Sequence, residues 1–187
     1  IMSYKTEFGK NKNEAKDIYK RIVEIQRQHV DIFVCETVSS IEEAEVVTQA
    51  ALGSEKKVWL SFCVKEEDGT QLRSGESLED ALTQFENTEI NSFLVNCSSP
   101  EAIHQSIGVI KKSKKPFGGL PNGFKSVNLL NDENDVSVLE KRDDFNIDKF
   151  VKDTLRFIEN NASIVGGCCE VSPKYIKALK NKIQTIK

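Results

Sequence analysis

Five times in succession this chain sets a short apolar, β-branched or aromatic run before a stretch whose apolar residues recur at helical spacing. The strand candidates are residues 31–35, 58–63, 92–96, 115–121 and 162–165. The fourth is the weakest, because Gly118, Gly119, Pro116 and Pro121 all disfavour a central strand. A helix precedes the first strand, with Asn13 as its expected cap and Ala15, Ile18, Tyr19 and Ile22 as its inward face. The helices after the strands are equally well marked. Ser40 and Glu43 form a capping box ahead of Ile41, Ala44, Val47 and Ala51, and Gly53 ends that helix. Ser77 precedes Leu78, Ala81, Leu82 and Phe85; Ser99-Pro100 precedes Ile103, Ile107 and Ile110. Asn146 precedes Ile147, Phe150, Val151, Thr154 and Ile158, and Ser172-Pro173 precedes Ile176, Leu179, Ile183 and Ile186.

Repeated strand–helix units demand a parallel sheet with right-handed crossovers. Two architectures satisfy that, an open doubly wound sheet and part of an eight-stranded barrel. No G-x-G-x-x-G follows any strand, which removes support for a dinucleotide fold. The barrel is favoured because Glu36, Cys63, Asn96-Cys97, Asn122 and Cys168-Cys169 all fall at strand ends and would share one rim. The polar stretch 122–146 is too long for an idle loop and is expected to hold short structure or function.

Charge excludes several classes of partner. With 26 basic against 29 acidic residues the net charge is -3, so no nucleic-acid partner is expected. The one basic cluster, Lys111-Lys112-Ser113-Lys114-Lys115, follows a helix and suits its C-terminal dipole. No apolar stretch reaches membrane-spanning length, and no membrane partner is expected. Five cysteines, an odd number without disulfide-scaffold spacing, point to a reducing compartment and a cytoplasmic location. The glycosylation patterns at Asn96 and Asn161 are discounted accordingly.

The cysteines also carry chemistry. Cys168 and Cys169 follow a glycine pair in a strand-to-helix turn, and Cys97 occupies the same place in its own unit, just before Ser99-Pro100. Three thiolates from two strand ends, with a fourth position left open, form the donor set of a catalytic zinc site. Such an ion lowers the pKa of a substrate thiol and presents it as a nucleophile. Cys35 and Cys63 read as buried strand cysteines, Trp59 as a core residue, and His29 and His104 as surface residues. With no histidine placed as a base, a cysteine-nucleophile hydrolase is disfavoured.

From Val30 to Ile176 the chain resembles the homocysteine S-methyltransferase family, zinc-dependent (β/α)8 barrel enzymes. The matching blocks are residues 31–37 (DIFVCET), 59–62 (WLSF), 72–78 (LRSGESL), 95–100 (VNCSSP), 121–124 (PNGF) and 164–169 (IVGGCC). The resemblance implies that Cys97, Cys168 and Cys169 hold Zn2+, that Glu36 engages the amino group of homocysteine, and that Asn96 and Asn122 shape the pocket. It implies methyl transfer from a sulfonium or betaine-type donor (S-methylmethionine, S-adenosylmethionine or betaine) to the homocysteine thiol, giving methionine. Oligomeric state stays open, a homo-oligomer being one expectation.

Five strand–helix units cannot close an eight-stranded barrel. Residues 1–187 are therefore expected to form one homocysteine-binding barrel domain lacking its N-terminal strands, beginning at Ile1-Met2 just before the third helix. Pro121-Asn122-Gly123-Phe124 departs from the Pro-Asn-Ser-Gly common in part of the family, as do Ala162 and Lys174-Tyr175 from its frequent glycine and Glu-His. The alternative reading is a degenerate, non-catalytic barrel fragment with a structural metal or none.

Overall fold

The computed structural model describes residues 4–6, 11–132 and 135–186; Ile1 and Met2 lie outside them. Its elements run α1 (Lys12–Gln26), β1 (Ile32–Val38), α2 (Ile41–Leu52), β2 (Lys57–Phe62), α3 (Leu78–Glu86), β3 (Ser92–Asn96), α4 (Pro100–Ile110), β4 (Phe117–Leu120), α5 (Ile147–Glu159), β5 (Ile164–Val165) and α6 (Pro173–Ile186). The five strands are all parallel and pair in chain order, β1-β2-β3-β4-β5. Each strand feeds a helix that returns to the next strand, the wound arrangement of five consecutive units of a (β/α)8 barrel.

Period-2 alternation gives the sheet two unlike faces. Phe33, Cys35, Val58, Leu60, Phe62, Phe93, Val95 and Phe117 join the helix-side core, where they meet Ala44, Ala51, Leu78, Ala81, Ile103 and Phe157. Val34, Glu36, Trp59, Ser61, Leu94 and Asn96 alternate onto the inner face. Trp59 is thus half-buried there rather than in the helix-packed core. Gly118 and Gly119 allow β4 to exist at all. A Cβ at Gly118 would overlap the Ile164 carbonyl of β5, and one at Gly119 would press on Ile103 of α4 and Phe157 of α5. In this four-residue strand, close approach at its two glycines outweighs the entropic penalty.

The helix caps follow the local sequence closely. Ser77, Ser99 and Asn146 each accept a backbone N–H of the first turn, and Pro100 opens α4. At α1 the cap is Asn11, two residues before the expected Asn13, whose N–H it accepts. At α2 the capping box is displaced by one residue: Ser40 Oγ accepts from Glu43 N–H, but the Glu43 carboxylate reaches Ser39 N–H. Gly53 caps α2 with an ordinary right-handed backbone. In α6 only Leu179 of the expected stripe is buried; Ile176 and Ile186 face outward. His104 is half-buried, its Nε2 3.0 Å from the Asp153 carbonyl and its ring edge-on to Phe157. None of the described helices is long and apolar enough to cross a membrane.

Over its described residues the 122–146 stretch is folded. It contains two 3-10 turns, Asn128–Asn131 and Val136–Val138, and a bridge pairing Phe124 with Lys141. Arg142 ties it to Glu101 at the start of α4, and the Glu66 carboxylate accepts from Val127 N–H and Ser126 Oγ. It thereby lays Val127 and Leu130 over the carboxyl ends of the strands.

Candidate metal centre

Cys97 follows β3 directly, in the left-handed region at φ 52°. A non-glycine residue holds that conformation only when its surroundings over-determine it. Here the Cys97 N–H donates to the Leu120 carbonyl at 3.0 Å, and its own carbonyl accepts from Asn122 Nδ2 at 2.9 Å. Cys168 and Cys169 follow β5 through Gly166-Gly167, and they are tied back to the β4 end. Cys168 N–H donates to the Pro121 carbonyl at 2.9 Å, and the Cys169 carbonyl accepts from Gly123 N–H at 3.0 Å. Two separate strand ends are thus bonded to the same short segment, 120–123, and the three sulfurs converge.

Cys97 Sγ lies 3.4 Å from Cys169 Sγ, and Cys168 Sγ lies 4.0 Å from Cys169 Sγ. All three sulfurs fall within 4.8 Å of one another, and all are free thiols. A tetrahedral ion with metal–sulfur bonds of about 2.3 Å sets its ligand sulfurs about 3.8 Å apart. The observed spacings bracket that value, so the donor set fits a soft metal ion. Cys97 is buried; Cys168 and Cys169 are half-buried, leaving the cluster reachable from the rim.

The electrostatics agree. Hydrogen bonds from Cys168 and then Cys97 pull the Cys169 thiol far below its ordinary value. The proton is retained elsewhere: Cys168 is pushed up to about 11 by its bond to Cys169, and Cys97 is raised by both neighbouring thiols and by burial. The coupled thiols thus favour ionisation at Cys169, an arrangement suited to capturing a cation.

Asn96 forms the floor beside the thiols. Its Oδ1 accepts from Thr37 N–H at 2.8 Å and Ser61 Oγ at 2.7 Å, and its Nδ2 donates to Thr37 Oγ1 at 2.9 Å. Nδ2 also lies 3.8 Å from Cys168 Sγ. This network links β1, β2 and β3, and it holds Thr37, a β-branched residue, at φ 58°. Asn122 is spent likewise on protein partners: its Nδ2 on Cys97 and its Oδ1 on Phe124 N–H. Both amides are thus buried and fix the ligand loops. Glu36, expected to follow its strand, lies within β1 on the exposed inner face, just where the β1–β2 register breaks. Its carboxylate makes no hydrogen bond or ion pair among the described residues.

Two further residues, neither of them expected at the site, border the thiols. Tyr4 is buried at φ 71°; its hydroxyl donates to Cys97 Sγ at 2.7 Å and lies 3.9 Å from Cys169 Sγ. Burial, and then Cys97 beside it, hold the phenol above its ordinary value, so it remains a donor. Arg73 is buried beneath it, donating Nε to the Tyr4 carbonyl at 3.1 Å and lying 5.6 Å from the ring centroid. Arg73 belongs to a block that the resemblance covers, but its contact with Tyr4 spans 69 residues of chain. Cys63 is buried as expected and packs against this cluster with Val127 and Leu130.

Comparison with known proteins bears on the fold and the family. The family model described as homocysteine S-methyltransferase matches residues 1–183. Among curated relatives, a selenocysteine methyltransferase of Astragalus bisulcatus is 28% identical over 187 residues, covering 93% of this chain and 53% of the relative. Homocysteine S-methyltransferase 3 of Arabidopsis thaliana is 28% identical over 176 residues, covering 90% and 48%. The metallated form of the homocysteine methyltransferase MmuM from Escherichia coli superposes with a TM-score of 0.74 at 18% identity, over 96% of this chain and 55% of that one. The chain spans about half the length of the curated relatives it matches. On the family match over nearly its whole length, this chain belongs to the homocysteine S-methyltransferase family.

Proposed function

We propose that the protein carrying this chain is a zinc-dependent S-methyltransferase that converts homocysteine to methionine with a sulfonium or betaine-type methyl donor. The observation that carries the reading is the convergence of Cys97, Cys168 and Cys169 at tetrahedral spacing on the carboxyl rim of the strands. Family membership and the metallated form of the Escherichia coli relative support it.

In this reading the three cysteine sulfurs hold the ion. Zinc, when bound, supplies a Lewis acid that keeps the substrate thiol deprotonated at neutral pH. The homocysteine sulfur attacks the donor methyl carbon: a new C–S bond forms, the bond to the sulfonium sulfur or ammonium nitrogen breaks, and that donor atom keeps the electron pair and becomes uncharged. The thiol proton passes to solvent. No acid is needed at carbon, so the remaining work is orientation and exclusion of water. Glu36, an exposed carboxylate on the inner face, receives the homocysteine ammonium. Asn96 and Asn122 keep the ligand loops in register. Val127 and Leu130 give the cluster an apolar wall that excludes water. We place the protein in the cytoplasm, a reading supported by five cysteines that are all free thiols.

The test is methionine formation by the full-length protein, with S-methylmethionine, S-adenosylmethionine and betaine as donors in turn. Selenocysteine serves as an alternative acceptor, because a relative is named for it. The parent is expected to form methionine from at least one donor, while Cys168→Ser loses both metal and turnover. A Cys168→Ser protein that keeps both would refute the assignment.

A further inference from the structure

We propose that Tyr4 is a positioning residue of the metal centre: clamped by Arg73, it donates a hydrogen bond to the Cys97 sulfur and withdraws charge from that ligand. The inference rests on the metal-centre reading above and adds a residue outside the ligand set.

Several features separate Tyr4 from an ordinary buried aromatic. The 2.7 Å O–S separation is short for a hydroxyl on sulfur, and the same hydroxyl lies 3.9 Å from a second candidate ligand, Cys169. Tyr4 adopts a left-handed backbone at φ 71°, which an aromatic side chain rarely takes unless held there. What holds it is Arg73, a buried guanidinium whose hydrogen-bond partners among the described residues are all neutral. Nε bonds the Tyr4 carbonyl at 3.1 Å, and the terminal nitrogens bond Asn131 Oδ1 at 2.6 Å and Asn128 Oδ1 at 3.4 Å. A buried cation without a carboxylate is costly unless a negative charge lies nearby. The cysteine cluster at the hydroxyl end of the Tyr4 side chain, negative once its thiols give up their protons to a metal, is such a charge.

The chemical consequence follows from how outer hydrogen bonds tune a metal site. A donor on a ligand thiolate takes electron density that the sulfur would otherwise give the ion. More of the ion's positive charge is then left for its fourth ligand. Removing the hydroxyl should make Cys97 a stronger donor without moving it.

The experiment replaces zinc with cobalt(II) in the full-length protein and follows the sulfur-to-metal charge-transfer absorption. Tyr4→Phe is expected to move that band to longer wavelength. Biosynthetic 3-fluorotyrosine, a more acidic phenol of nearly the same shape, is expected to move it to shorter wavelength, and this second shift must vanish in the Tyr4→Phe background. Arg73→Gln, which frees the ring, should reproduce the Tyr4→Phe shift in part. If the parent shows the band and neither Tyr4→Phe nor fluorotyrosine moves it, the proposal fails while the metal centre stands. If the parent shows no such band, the metal-centre reading fails and takes the proposal with it.

Discussion

Replacing Asn96 by leucine removes a side chain of similar size whose amide makes three strong bonds to protein, at 2.7, 2.8 and 2.9 Å. Thr37 N–H, Thr37 Oγ1 and Ser61 Oγ would be left without partners, on residues 6% and 0% exposed, where water cannot substitute. An orphaned buried polar group costs about 2 kcal/mol, so three of them set a loss of about 6 kcal/mol. The apolar leucine offsets about 2 kcal/mol. Relaxation of Thr37 from its left-handed backbone offsets about 1 kcal/mol more. The expected net destabilisation is therefore about 3 kcal/mol.

Urea unfolding followed through Trp59 reports this directly, because Trp59 is the one tryptophan of these 187 residues and lies on the same face of β2 as Ser61. A cycle with Ser61→Ala isolates the network. The double variant should be less unstable than the sum of the singles by about 1–2 kcal/mol, since the leucine then leaves one fewer group stranded. Zinc affinity should fall about 10–100-fold in Asn96→Leu, as expected when a support of the ligands is lost. A loss below about 1 kcal/mol with additive singles would refute the claim that Asn96 knits three strands beneath the thiols.

Other expectations follow from the same structure. Gly118→Ala should destabilise by about 3 kcal/mol, because its Cβ meets backbone; Gly108→Ala, in open space on α4, should stabilise by about 1 kcal/mol. Chemical denaturation distinguishes the two signs. Burial pushes the Cys35 thiol up to about 12 from 9.0. Below 9 it is neutral folded and unfolded, whereas above 9 only the unfolded chain ionises. Stability should thus fall by about 1.4 kcal/mol per pH unit from 9 upward, and Cys35→Val should remove that component. Zinc affinity should rise by at least about tenfold per pH unit between 6 and 8, since the raised Cys97 and Cys168 thiols must give up protons on metal capture. Competition titration with a chelator of known affinity measures that slope; a flat profile would contradict the assignment.

What could be read from the sequence was what is local or repeated. Ser77, Ser99 and Asn146 cap as expected, and Leu78, Ala81, Leu82 and Phe85 are all buried, because caps and stripes depend on neighbours within one or two turns. The fourth strand looked weak because Gly118 and Gly119 have poor strand propensity, while their purpose is visible only once Ile164 and Phe157 are packed against them. The outward side of α6 also escaped the pattern: Ile176 has helical spacing but no described element to cover it. At the centre, the thiols could be read from position and resemblance. Tyr4 could not, since the hydrogen bond that brings it to Cys97 joins residues 93 apart. Asn96 and Asn122 were legible as site residues, but their use on backbone rather than on open pocket required the fold.

We propose that Cys97, Cys168 and Cys169 together hold one zinc ion that homocysteine then joins. X-ray absorption at the zinc edge of the full-length protein counts the sulfur ligands directly. One zinc per chain is expected, with three sulfurs at about 2.3 Å, rising to four when homocysteine is added. A first shell of nitrogen and oxygen, or a sulfur count that homocysteine leaves unchanged, would contradict it.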